Sequence, residues 1–156
     1  MFQNIIHSDI GLFHTIVAFL SMLFGTLIVL KTKGTTLHKQ LGYLYVICML
    51  LLNVSSFFIV NFGGFSLFHG IAIFSLITVL VGMIPTFLRV KDWMYYHFYA
   101  LNWSVVGLYC AFWAELGTRF AKNSHQFWWI VFLAMIITSV IGGVLIHKKA
   151  KELHLK

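Results

Sequence analysis

The chain has 156 residues, of which 60% are hydrophobic and only 10% charged, and its formal charge is +7. Soluble domains carry about a quarter charged residues, and a chain of this length has no core able to hide so much apolar surface. A water-soluble enzyme and a nucleic-acid binder are thereby excluded. The solvent is lipid, and the basic residues lie between apolar segments.

The opening stretch, MFQNIIHSDIG, has neither a basic leader nor a small-residue cleavage site, so it reads as retained. A helix needs about 20 apolar residues to cross the hydrocarbon layer. Five stretches meet that length: about 10–30, 41–60, 67–88, 93–116 and 127–146. Short connections make successive helices antiparallel neighbours. The expected fold is all-α: a polytopic, single-domain bundle of five transmembrane helices around an antiparallel four-helix core.

With the N-terminus outside, Arg119 and Lys122 share its side. Lys31, Lys33, Lys39, Arg89, Lys91, Lys148, Lys149, Lys151 and Lys156 fall on the other. The basic side is the cytoplasmic one. The expectation is an inner-membrane protein, N-terminus out and C-terminus in. Trp93, Tyr95 and Tyr96 at one interface, and Trp128 and Trp129 at the other, read as aromatic belts.

Pro85, near the end of the third segment, reads as a bend whose released carbonyl finds other donors. FGTL in the first segment and IGGV in the fifth supply small residues for close helix approach. Cys48 and Cys110, deep in apolar runs with no CxxC spacing, read as packing residues. Asn53 and Asn102 read as amides bonding between helices. No Ser–His–Asp set, phosphate loop or HExxH pattern is present.

The eight histidines carry the functional signal. His7, His125, His147 and His154 fall in tails or loops. His14, His38, His69 and His97 each sit near the N-terminal end of one of the first four helices. In an antiparallel bundle, His14 and His69 belong to the outer half and His38 and His97 to the inner. Two opposed histidines can ligate one iron from both faces of a porphyrin. Four would hold two haems, about 20 Å apart at 1.5 Å per residue, a span that lets electrons cross the bilayer. A small residue follows each histidine by about one turn: Ala18, Gly42, Ala72 and Ala100. Each histidine alone also reads as a polar tip at the membrane edge.

Glu115, in the outer part of the fourth helix, either pairs with Arg119 at i+4 or serves function, as intramembrane carboxylates commonly do. With His14 and His69 it would make a two-histidine, one-carboxylate set suited to zinc or iron. The expected partners are the bilayer, a quinone or redox partner protein, and a second copy of the chain. A non-redox binder of a divalent metal or small solute, or an accessory subunit, is the other class that this pattern allows.

LHKQLGYLYV at 37–46, Phe68–His69 and the WM and YAL pieces around the fourth helix resemble a bacterial family of membrane proteins of unknown function catalogued as DUF2306. The resemblance spans nearly the whole chain and implies no activity. The four helix-opening histidines, with the LHxxLG pattern at His38–Gly42, are also similar to the core of the cytochrome b561 family. That resemblance implies haem b held by His14 with His69 and by His38 with His97, and transmembrane electron transfer to a quinone or ferric chelate. The chain departs from it in having five helices rather than six, and in lacking matching basic substrate-binding residues.

Overall fold

A computed structural model describes residues 9–60 and 64–155, without the side chains at 118 and 119. It is all-helical: α1 (Asp9–Leu30), α2 (Thr36–Ser56), α3 (Leu67–Leu88), α4 (Trp93–Phe120) and α5 (Ser124–Glu152). Four of these, α1, α2, α3 and α5, are long and apolar enough to cross a membrane. α4 has ample length at 28 residues, but its Trp, Tyr, His and Asn side chains lower its apolar character. The membrane character holds, while a count of five crossings goes beyond those four helices.

The helix ends depart from the apolar runs because caps, not hydrophobicity, set them. α2 begins at Thr36 rather than near residue 41, because the Thr35 side chain accepts the His38 backbone N–H. It ends at Ser56, four residues short of the expected 60. α4 runs on to Phe120, and α5 starts at Ser124, where the Asn123 side chain accepts the Gln126 N–H. His125 and His147 are therefore helical, in the first and later turns of α5, rather than in loops. The end of α1 is closed by the Lys33 ammonium, which donates to the carbonyls of Ile28 and Val29 at 2.6 and 3.1 Å. Gly34, at φ +79°, then turns the chain towards α2 where a side chain would strain it.

The chain divides into two compact units, Met1–Val79 and Leu80–Lys156, with the boundary inside α3. In the first unit α1 packs along α2. The buried residues of α1, Val17, Ser21 and Gly25, recur every fourth position, a single stripe. Those of α2 include Tyr45, Cys48, Met49 and Leu52. Gly25 of the FGTL stretch thus lies buried in this unit.

In the second unit α4 packs on α5. Gly142 of IGGV permits it: a Cβ there would run into the Val106 side chain. Gly117 does the same work further along, since its Cβ would lie 2.9 Å from Val131. Phe98, Ile146 and Ala150 form a buried cluster. The C-terminal part of α3 meets α4 at Gly82, where a Cβ would fall 2.7 Å from Leu101. Apolar side chains such as Phe19, Phe74, Phe132 and Ile136 are exposed on several helices, as expected where lipid is the solvent.

Candidate functional site

The four helix-start histidines divide into two kinds. His14 and His97 bond across to another helix. His38 and His69 sit at the cap of their own helix.

His14 Nδ1 lies 2.9 Å from Ser55 Oγ on α2. The Ser55 hydroxyl donates its one hydrogen to the Leu52 carbonyl, 2.9 Å away. With the hydrogen there its oxygen accepts, which puts the proton on His14 Nδ1 and the lone pair on Nε2; turned to the ring, the hydroxyl donates and Nδ1 accepts. An apolar recess of about 270 Å³, lined by Ile10, Phe13, Leu51, Val54, Ser55 and Phe58, adjoins this contact.

His97 repeats the arrangement in the second unit. Its Nδ1 lies 3.0 Å from Thr86 Oγ1 and 3.2 Å from the Gly82 carbonyl oxygen, both on α3. A carbonyl only accepts, and the Thr86 hydroxyl donates to that same carbonyl at 3.0 Å. The proton is again on Nδ1. Trp93 meets the His97 ring edge-on at 6.3 Å, and the Arg89 guanidinium lies 4.6 Å above Trp93, a cation–π contact.

His69 is held the opposite way. Its Nδ1 accepts the Ser66 backbone N–H at 3.1 Å and lies 2.9 Å from Ser66 Oγ. Ser66 immediately precedes α3, so His69 occupies the third helical position. It takes the part that Glu or Gln plays in a capping box. In the neutral ring the proton is then on Nε2. The side chain is only 6% exposed. Phe65 stacks on it at 5.3 Å and Phe57 lies 5.9 Å away.

His38 has the same register on α2. It is the third helical residue, and its backbone N–H donates to Thr35 Oγ1 at 3.1 Å. Its side chain is half-buried. A Cβ on Gly42, one turn on, would meet nothing within 4 Å.

The last turn of α2 draws the proposed outer pair towards one end of the first unit. His14 bonds Ser55, and His69 packs against Phe57, two residues on. His38 belongs to the first unit and His97 to the second. Ala72 is buried, while Ala100 packs near Gly82.

Glu115 lies on an exposed face of α4. Its pairing with Arg119 lies outside the described residues, as does His7. Within either unit, no three of His, Cys, Asp and Glu among the described residues gather to hold a metal ion. The set His14, His69 and Glu115 draws on both units.

The expected interhelical amides behave otherwise. Asn102 donates to the Phe98 carbonyl of its own helix at 2.7 Å. The Asn53 side-chain nitrogen is buried with no hydrogen-bond partner among the described residues. The hydroxyls of Ser55 and Thr86 make the cross-helix bonds instead.

Two sequence signals could have separated the histidines. Thr35-Thr-Leu-His38 and Ser66-Leu-Phe-His69 carry a capping hydroxyl residue three positions before the histidine. Asp9-x4-His14-x6-Ser21 and Asp92-x4-His97-x6-Ser104 share another spacing, and both serines are buried. In comparisons with known proteins, no family model, curated protein or solved structure matches the chain.

Proposed function

We propose that this chain is a membrane haem-b protein that passes electrons across the bilayer, akin to the cytochrome b561 and DUF2306 families. The observation that carries the reading is the form of His14 and His97. Each sits on an apolar-rich helix with Nδ1 against an oxygen of a neighbouring helix, so that Nδ1–H can donate and Nε2 carry the lone pair. Ligating histidines take this form, with one nitrogen on the metal and the other donating to a protein oxygen. His14 and His69 would hold the outer haem, and His38 and His97 the inner.

The residues fit unevenly. His14 and His97 suit iron in that Nδ1 of each already lies against a protein oxygen. His69 suits it only after its proton moves from Nε2 to Nδ1 and the Ser66 N–H bond is given up. Bound haem would supply a one-electron couple. The chain supplies imidazole ligands, cross-helix hydroxyls and an apolar surround that keeps water away. A quinone, a ferric chelate or a partner protein would exchange the electron. Expression with ample haem, followed by reduced-minus-oxidised spectroscopy, tests the reading.

The orientation in this reading is N-terminus out and C-terminus in, in a bacterial cytoplasmic membrane. It requires α4 to cross, and the distribution of lysine and arginine supports it.

The capping bond of His69 favours a second, non-redox reading. There His69 and His38 are cap residues, and the protein binds a divalent metal such as zinc or a small solute, or packs as an accessory subunit or homodimer.

A further inference from the structure

We infer that Ser55 and Thr86 are positioning residues, each fixing one histidine in the Nδ1–H tautomer so that Nε2 is its basic, ligating nitrogen. The ligating role rests on the haem reading above, whereas the tautomer is a property of the haem-free chain. Neither hydroxyl would touch iron. Each acts through the imidazole it holds.

Local geometry makes both hydroxyls acceptors. Ser55 Oγ–H is committed to the carbonyl three residues back, Leu52, at 2.9 Å. Thr86 Oγ1–H is committed to the carbonyl four residues back, Gly82, at 3.0 Å. Such back-bonding pins a hydroxyl rotamer within its own helix. The lone pairs then face His14 Nδ1 at 2.9 Å and His97 Nδ1 at 3.0 Å. The second contact has a reserve, because the Gly82 carbonyl oxygen also lies 3.2 Å from His97 Nδ1.

The two sites match in sequence as well. In α1 and α4 the histidine follows an aspartate by five positions and precedes a buried serine by seven. Ser21 is 0% exposed and Ser104 3%. Positions seven apart lie on one face of a helix, so each histidine stands on the stripe that its helix buries through that serine. His69 provides the internal contrast: a backbone N–H points at its Nδ1, and no choice of hydroxyl rotamer can put the proton there.

Imidazole ¹⁵N NMR of the haem-free protein in detergent reads the tautomers directly. The expected result is His14 and His97 protonated at Nδ1 and His69 at Nε2. Ser55→Ala should return His14 to a mixture of tautomers, and Ser55→Thr should restore it. Thr86→Val should shift His97 less, because the Gly82 carbonyl remains, and Thr86→Ser should leave it unchanged. In haem titrations, Ser55→Ala should weaken the His14 site about 10–100-fold, the usual effect of removing a ligand's hydrogen-bond partner.

A wild-type His14 protonated at Nε2 overturns the inference, and it needs no variant to fold. So does a Ser55→Ala protein whose His14 tautomer is unchanged. If the tautomers are as stated and no haem binds, the positioning role stands and the haem reading falls.

Discussion

His14 Nδ1 and Ser55 Oγ lie 2.9 Å apart, 41 residues distant in sequence, and tie the start of α1 to the end of α2. In an apolar surround such a bond contributes about 0.6 kcal/mol on average and up to about 1.7. His14→Phe should therefore lower stability by roughly that amount, plus any misfit of the ring. Reversible unfolding in mixed micelles measures it. Combining His14→Phe with Ser55→Ala should cost little more than the larger single change, because both remove one bond. Fully additive losses would mean that the two side chains do not interact.

His69 separates a cap from a ligand. His69→Gln keeps an acceptor at the third helical position, so the fold should change by less than about 0.5 kcal/mol. His69→Ala should lose about 1 kcal/mol, the usual scale for a missing cap interaction. Both should abolish the outer haem signal and spare the inner one. A haem signal retained in full by His69→Gln would remove His69 from the ligand set.

Two glycines should respond oppositely to alanine. Gly82→Ala places a methyl 2.7 Å from the Leu101 side chain and 3.3 Å from Ala100. Overpacking of this kind costs about 1–3 kcal/mol, and it displaces the carbonyl that His97 uses. Gly42→Ala meets nothing within 4 Å, and a helical alanine is favoured over glycine by about 0.5–1 kcal/mol. Thermal unfolding of both variants should show opposite signs. Equal destabilisation would mean that Gly42 lies against a surface of its own.

How much of this was legible in the sequence follows from which signals each feature uses. Helix existence was legible, because apolar run length alone requires it in lipid. Helix ends were not, since Thr35, Ser66 and Asn123 set them through polar atoms that an apolar-run criterion passes over. The four helix-start histidines stood out in the sequence. Their division into cap and cross-helix pairs did not. It depends on hydroxyl hydrogens committed to Leu52 and Gly82, which only the folded backbone reveals. The amides misled for the same reason: Asn102 found a carbonyl in its own helix.

α4 decides the topology. If it crosses, reporters fused before α1 and after the C-terminus should read opposite sides, with the C-terminus cytoplasmic. Without that crossing, four spans put the chain ends on one side. Fusions placed before α1, after Lys122 and after Glu152 settle the order of sides. An N-terminus and C-terminus on the same face would refute the five-span orientation.

The most direct test of the central claim is the absorption spectrum of the purified protein, expressed with ample haem and measured oxidised and reduced. A two-haem protein should show a Soret band with a reduced α-band, diminished by His14→Ala and separately by His97→Ala, each variant keeping the other haem. A spectrum with no Soret band under those conditions, from protein that is folded by circular dichroism, would contradict it.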